Sequence, residues 1–352
     1  MNQRLPSTVV GNEEDVTLKD IAEAVGKSVA AVSRALNDYD DISAETREQV
    51  KRVAREMGYT PNLMARRLQK RTTDALGFIL PVLSPRDADP YFSELLAGIA
   101  NEAAELGFDL LVSTCTPGPH EAQVYQRLMS GRVDGMIVAR PRCKDPRIEL
   151  LLKKRNPFVV VGNIAVPGDI LTVSDDVVEG ARQVAQHLID QGHERIALIN
   201  THPELVFSRD FSAGFRSAMD KAGLPVNEDL TEYSDLTQKD GYRAAQILLS
   251  KSEIPTAIVA ADDMIALGAM AAAQDQGFEI GNDVLVTGYG DALLTEYSQP
   301  PLTTVHRPTY ALGQQAARML IARLRGETIE NEYVVIKPSL IIRQSSDLAL
   351  WL

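Results

Sequence analysis

The sequence predicts an all-α helix-turn-helix module followed by an α/β core of two doubly wound, parallel-sheet lobes. Three observations predict it. Short capped helices separated by a glycine turn occupy the first sixty residues, and from residue 75 short apolar strands alternate with helices in two successive series. The charge divides at the same place. Residues 16–73 hold 11 Lys and Arg against 8 Asp and Glu, a net +3, although the 352-residue chain as a whole carries −12 and residues 74–352 carry −13. The total alone disfavours a nucleic-acid partner, whereas its division gives a small basic module ahead of a large acidic one.

In the first module, Thr17 is positioned to cap a helix over Leu18–Val25, with Asp20 at its third position and Ile21, Ala22 and Val25 on its apolar face. Gly26 supplies the left-handed conformation of a tight turn. Ser28 caps a second helix over Val29–Asn37, with Val32, Ala35 and Leu36 inward, and Ser43 a third over Ala44–Met57, where Val50, Val53 and Met57 close the core. Val29, Ala30, Ser33, Arg34 and Asn37 are left facing outward on the second helix. Small side chains and one fork-shaped cation suit a major groove, where Arg donates two bonds to guanine. Helical hairpins also occur as plain structure, and spacing alone does not separate the two readings.

The core reads as strands Leu76–Leu80, Leu110–Val112, Gly135–Val138 and Phe158–Val161 alternating with helices near Phe92–Leu106, Glu121–Met129 and Arg147–Lys154. A second series has strands Ile196–Ile199, Ala257–Ala260 and Val284–Thr287, separated by helices near Ala181–Asp190, Phe211–Ala222, Gly241–Leu249 and Ile265–Gln276. Continuous apolar strands between helices imply parallel sheets covered on both faces, and ligands settle at the carboxyl ends of such strands.

Other classes are excluded on composition. A chain 45% hydrophobic and 24% charged is neither a disordered tail nor a collagen-like repeat. Apolar runs such as Leu76–Val82 fall far short of the roughly 20 residues of a membrane span. The opening MNQRLPSTVVGNEED lacks a signal-peptide core, so a cytoplasmic location with no membrane partner is expected. Cys115 and Cys143 lie in no CxxC pattern and are expected to be buried, reduced thiols. There is no P-loop, GxGxxG, GxSxG or HExxH, and the five histidines show no metal spacing, so neither catalytic residues, a metal nor a cofactor is expected.

The residues themselves then become specific. The stretch VTLKDIAEAVGKSVAAVSRALNDYDDISAETREQVKRVAREMGYTPNLMARRLQ resembles the headpiece of the lactose-repressor/galactose-repressor family along its whole length. The core segments HLIDQGHERIALI, DDMIALGAMAAAQDQGFEIGNDVLVTGYGD and PPLTTVHRPTYALGQQAARMLI resemble the same family, and together the similarity covers nearly residues 16–345. The resemblance implies a periplasmic-binding-protein-like core whose chain crosses between lobes three times, the first lobe holding about 75–173 and 304–332 and the second about 174–303 and 333–345. It implies a regulator of transcription, by default a repressor. Val29, Ala30 and Arg34 would read base edges, while Thr17, Ser28, Ser33 and Asn37 would contact phosphates. Asn62 opens a segment, Asn62–Gln69, that matches the DNA-bound hinge helix, and Leu68 stands where the family wedges a leucine into the minor groove.

For the effector, the resemblance points to Asp175, Asp262, Asp263 and Asp291; Arg209 with the aromatics Tyr91, Phe92 and Phe207 could complete a site for sugar hydroxyls. Asp263 could instead cap the helix that follows it. Two positions depart from the family pattern: Gly290 stands where many relatives have an aspartate, and Phe211 where many have an arginine. The expected organisation is a disordered extension at 1–15, the DNA-binding domain at 16–60, a hinge at 61–74, the effector and dimerisation core at 75–345 and a tail at 346–352. With only QSSDLALWL after Arg343 there is no heptad tail, so a homodimer on a near-palindromic operator is expected. A purine or nucleoside effector is the alternative within the family; an exported sugar-binding transport receptor is the alternative outside it.

Overall fold

A computed structural model of the chain describes residues 16–59, 72–82, 89–164 and 170–347. They fall into two compact units, Met1–Arg71 and Thr72–Leu352. The amino-terminal extension, the hinge segment with Asn62 and Leu68, and the last five residues lie outside the described residues.

The first unit contains α1 (Leu18–Val25), α2 (Val29–Leu36) and α3 (Ala44–Glu56). Asp20 folds back to accept both the Thr17 backbone N–H and its hydroxyl, each at 2.7 Å. Gly26, at φ +66°, lets the chain turn back so that the Lys27 N–H reaches the Ala22 carbonyl at 3.0 Å. Ser28 and Ser43 accept from the N–H groups of Ala31 and Thr46, caps that each stabilise by about 1 kcal/mol. Ile21, Ala22, Val25, Val32, Ala35, Val50 and Ala54 form the buried core, with Leu36, Val53 and Met57 packed partly buried around it.

The second unit is built on two parallel sheets. In the first, β1 (Ala75–Pro81), β2 (Asp109–Cys115), β3 (Gly135–Ala139), β4 (Phe158–Val161), β5 (Leu171–Asp175) and β11 (Tyr333–Ile336) lie in the order β11-β5-β4-β3-β1-β2. One face is covered by α4 (Pro90–Glu105) and α12 (Thr309–Arg325), the other by α5 (Glu121–Met129) and α6 (Pro146–Lys154). The helices α4 and α12 approach backbone to backbone. A Cβ on Gly98 would stand 2.1 Å from the Tyr310 carbonyl oxygen, and one on Gly313 would stand 2.4 Å from that of Leu95. No larger residue fits there without separating the pair.

The second sheet has the order β7-β6-β8-β9, from β6 (Ile196–Asn200), β7 (Thr231–Tyr233), β8 (Ala257–Ala260) and β9 (Leu285–Thr287). Here α7 (Val177–Asp190) and α8 (Val206–Lys221) cover one face, α9 (Gln238–Leu249) and α10 (Asp263–Asp275) the other. A short α11 (Leu294–Tyr297) follows β9, and β10 (Thr304–His306) pairs antiparallel with β12 (Ser339–Ile341).

Three crossings join the lobes, after β5, between β10 and α12, and between β11 and β12. The expected lobe boundaries are corrected in two places. β10 belongs to the second lobe, because Thr303 and His306 bridge to Thr287 and Gly290 at the end of β9. β11 belongs to the first, because it pairs with β5 and its Val334 and Ile336 pack on the first lobe's core. The expected thiol burial is also corrected. Cys115 is half-buried on an edge strand, Cys143 is exposed on the loop between β3 and α6, and both are free.

Candidate functional site

On α2 Val29, Ala30 and Arg34 are exposed and Ser33 is half-buried, and Asn37, which the sequence places inside the helix, is its exposed C-cap. Val29 has 44% of its surface exposed, too much for a core role in a helix whose inward face is already filled by Val32 and Ala35. Arg34 is held by Asp41 at 2.9 Å, and both side chains are more than half exposed. Such a pair contributes about 0–1 kcal/mol and is easily exchanged for another acceptor. The Asn37 side chain donates to the Ser33 carbonyl at 2.8 Å, and Thr17 and Ser28 sit exposed at the helix starts. The outward face is thus small, polar and able to present one guanidinium.

In the second unit a cleft opens between the lobes at the carboxyl ends of the strands, enclosing about 910 Å³ of empty space with its mouth included. The lobes meet at its rim through main-chain bonds: Cys143 N–H to the Glu204 carbonyl at 2.8 Å and Val206 N–H to the Pro141 carbonyl at 3.1 Å. Asn163 adds a side-chain bond to Asp210 at 3.0 Å.

Asp175, at the end of β5, is buried and fully partnered. Arg307 donates to its Oδ1 from Nε and an Nη, at 3.0 and 2.8 Å, and Tyr289 donates to its Oδ2 at 2.7 Å. Burial opposes the charge on Arg307, but the neighbouring Asp175 outweighs it and raises the guanidinium's pKa. Arg307 lies over the rings of Tyr91 and Phe207, 4.5 and 5.3 Å from their centroids. Arg140 pairs with Asp89 and lies 4.8 Å from the Tyr91 centroid.

Asp262 lines the cleft as the N-cap of α10, accepting the Met264 N–H at 2.8 Å. Burial, then the negative charges of Asp89 and Asp263, push its carboxyl up to about 7. Asp263 does not cap this helix; it is the first helical residue. Its oxygens accept from the Thr304 hydroxyl at 2.5 Å and the Ala292 N–H at 2.7 Å, which offset the burial that pushes it up to about 6. Gly290 is at φ +141° against this carboxylate, and a Cβ there would lie 3.0 Å from its Oδ2. A side chain at 290 would therefore be both strained by this φ and tight against Asp263.

Five sequence-derived residues, Tyr91, Asp175, Phe207, Asp262 and Asp263, therefore share the cleft wall. Three do not. Phe92 points into the first lobe's core, 6.0 Å from Phe78 ring to ring. Arg209 is half-exposed and bonds Asp210, and it is Asp210 that faces the cleft. Asp291, at φ +58°, turns its carboxylate to Arg343 at 2.9 Å and His306 at 3.0 Å. Sequence reasoning missed Asp89, Arg140, Asn163, Thr201, Asp210, Tyr289 and Arg307. Asp89 carried a signal as an aspartate ahead of Pro90 at a helix start, and Tyr289 and Arg307 stand within the family-like segments already singled out.

Three buried hydroxyls on the cleft wall, those of Tyr91, Ser174 and Thr201, have no hydrogen-bond partner. Buried polar atoms are rarely left unpaired without a reason, and a bound ligand or an ordered water is one. Among the described residues no cluster of His, Cys, Asp or Glu could hold a metal ion, and no helix is long and apolar enough to cross a membrane.

Comparison with known proteins agrees with both halves. Residues 17–62 match the family described as bacterial regulatory proteins, lacI family, and residues 185–346 match a periplasmic binding protein-like domain. The HTH-type transcriptional regulator AglR of Rhizobium meliloti (strain 1021) is 36% identical over 335 residues, covering 94% of each chain. The chain belongs to the LacI family. Among solved structures, a transcriptional regulator CelR–cellobiose complex matches 94% of this chain and all of its own at 32% identity, with a TM-score of 0.74. The lac repressor dimer bound to operator and the anti-inducer ONPF matches 95% of this chain and all of its own, at 27% identity and a TM-score of 0.81. This LacI-family chain is thus a helix-turn-helix transcriptional regulator by kinship along nearly its whole length.

Proposed function

We propose that the protein is a non-catalytic, cytoplasmic repressor that binds a near-palindromic operator as a homodimer and is controlled by a small carbohydrate. Residues 16–60 are the DNA-binding domain and 61–74 the hinge. Val29, Ala30 and Arg34 read bases, Thr17, Ser28, Ser33 and Asn37 hold the backbone, Asn62 binds DNA at the start of the hinge, and Leu68 is the minor-groove wedge. The effector occupies the cleft of the 75–345 core.

The observation that carries the effector reading is the set of unpartnered hydroxyls on Tyr91, Ser174 and Thr201 beside the Asp262 carboxylate and the Phe207 ring. A polyhydroxylated ring offers each of them a partner and an apolar face for the phenyl ring. A CelR structure bound to cellobiose and a lac repressor structure dimeric on its operator supply the family precedents.

The test uses the full chain, an operator selected from random duplexes, and parallel panels of saccharides and purines. The expected result is a saccharide that raises the thermal transition and changes operator affinity about 5–150-fold. Thr201→Val should weaken that saccharide by about 5–10-fold, the loss of one hydrogen bond. Action by purines alone replaces the carbohydrate, and unchanged binding by the valine variant moves the site elsewhere.

A further inference from the structure

The cleft displays a charge pattern that the carbohydrate reading does not itself specify. Among the described residues six carboxylates line it, Asp89, Glu94, Asp175, Asp210, Asp262 and Asp263, against two cations, Arg140 and Arg307, and no lysine or histidine. Both cations are already engaged. Arg307 forms a two-point pair with Asp175, and Arg140 pairs with Asp89. Both also lie over the Tyr91 ring.

The other device by which proteins hold anions is the amino end of a helix, where free N–H groups and the helix dipole converge. Five helices begin on this cleft: Asp89, Asp176 and Asp262 cap α4, α7 and α10, Glu94 accepts the Tyr310 N–H at the start of α12, and at the start of α8, which has no side-chain cap, the Val206 N–H goes to the Pro141 carbonyl. Asp89 accepts the Tyr91 N–H at 3.1 Å at the start of α4, and Asp262 accepts the Met264 N–H at the start of α10. Among the described residues Asp262 has no ion-pair partner, and its carboxyl lines the space a ligand would fill, so an anion placed there meets an acceptor with no cation of its own. The unpartnered hydroxyls of Tyr91, Ser174 and Thr201 add neutral hydrogen-bonding groups to the same wall.

We infer that the cleft rejects anionic effectors, phosphorylated saccharides above all, and that Asp262 is the residue that sets this discrimination. The inference rests on the cleft being the effector site. An uncharged polyol bonds the free hydroxyls and donates to Asp262. Among the described residues a phosphoryl group in the same place finds both cleft arginines already paired with aspartates, and it meets Asp262 with Asp89 and Asp263 behind it.

The experiment is calorimetric titration of the full-length protein with matched pairs: glucose and glucose 6-phosphate, trehalose and trehalose 6-phosphate, adenosine and adenosine 5′-monophosphate. Whichever neutral member binds should exceed its phosphorylated twin by at least ~100-fold, and Asp262→Asn, which keeps an N-cap side chain, should narrow that ratio to below ~10-fold. A twin that binds as tightly as the neutral compound overturns the inference, and so does an unaltered ratio in the variant. Binding by the adenosine pair alone overturns the carbohydrate reading instead, while its neutral-to-phosphorylated ratio still tests the charge rule. Millimolar inorganic phosphate completes the test without an organic ligand. No shift of the core's thermal transition is expected, and a shift that Arg307→Lys removes counts against the inference.

Discussion

Two arginines of this protein hold aspartates at nearly the same distance and do opposite things. Arg34 meets Asp41 at 2.9 Å with both side chains 54% exposed; Arg307 meets Asp175 at 2.8 Å with side-chain exposures of 11% and 1%. On the face proposed to read DNA, water solvates both partners, so the pair separates cheaply and leaves the guanidinium able to turn to another acceptor. In the cleft, two charges have left water, and each is intolerable without the other. The exposed pair is a resting place, whereas the buried one is a strut between β5 and the crossing into α12, locking three walls of the cleft through Tyr289 and the Tyr91 ring. Distance alone says nothing about which role a pair plays; burial decides.

The largest effect expected from this contrast is at the strut. Asp175→Asn keeps the shape but leaves Arg307 buried with no counter-charge. Breaking a buried pair in this way costs about 3–5 kcal/mol, and denaturant unfolding of the full chain should show that loss in the core transition. A loss below about 1 kcal/mol would mean that the two arginines do not differ in kind.

Next is Asp262, whose carboxyl rises from an ordinary 3.8 to about 7. The folded state holds this proton more tightly than the unfolded one. The associated stability is therefore complete below about pH 4, falls as pH rises toward 7, and stays lost above it. Asp262→Asn removes the dependence, since asparagine caps a helix as well as aspartate and carries no charge. Relative to the native chain, the variant should match it near about pH 4 and exceed it by roughly 1–3 kcal/mol at about pH 8. Thermal transitions of both proteins across that range check the sign. Asp89, Asp263 and Arg140, which face the same carboxyl, are common to both, and a difference that grows toward low pH would refute the assignment.

The DNA-reading unit was largely legible in the sequence because its structure is local. Helix caps at Thr17, Ser28 and Ser43 and the turn at Gly26 are each determined within three or four residues. The parallel strands were legible for a similar reason, since burial on both faces leaves continuous apolar runs such as Phe158–Val161. The cleft was legible only in part. Its pairs join residues 51 and 132 positions apart, Asp89 with Arg140 and Asp175 with Arg307, and nothing in the local pattern of either arginine marks its partner. Where candidates failed, they failed by a single residue. Arg209 stands beside Asp210 and Phe92 beside Tyr91, and one step along a helix turns a side chain about 100° away from the cleft. Asp291 was lost to backbone geometry, because its left-handed φ directs the carboxylate to Arg343. The edge strand Tyr333–Ile336 was assigned to the wrong lobe because a strand's own residues do not name the sheet it joins.

Arg34 should show the smallest change in stability. Arg34→Ala removes an exposed pair and an exposed side chain, so the first unit's unfolding should move by less than about 1 kcal/mol. In DNA binding the same substitution should cost about 1–3 kcal/mol and relax preference at a single operator position in each half-site, as expected for a guanidinium that reads one guanine. Competition between operator variants in a fluorescence anisotropy assay separates these outcomes. A uniform loss across all sequences would place Arg34 on a phosphate, and unchanged preference would remove α2 as the reading helix. A large stability loss would make the Asp41 pair a strut like the one in the cleft, and exposure would then no longer distinguish the two arginines.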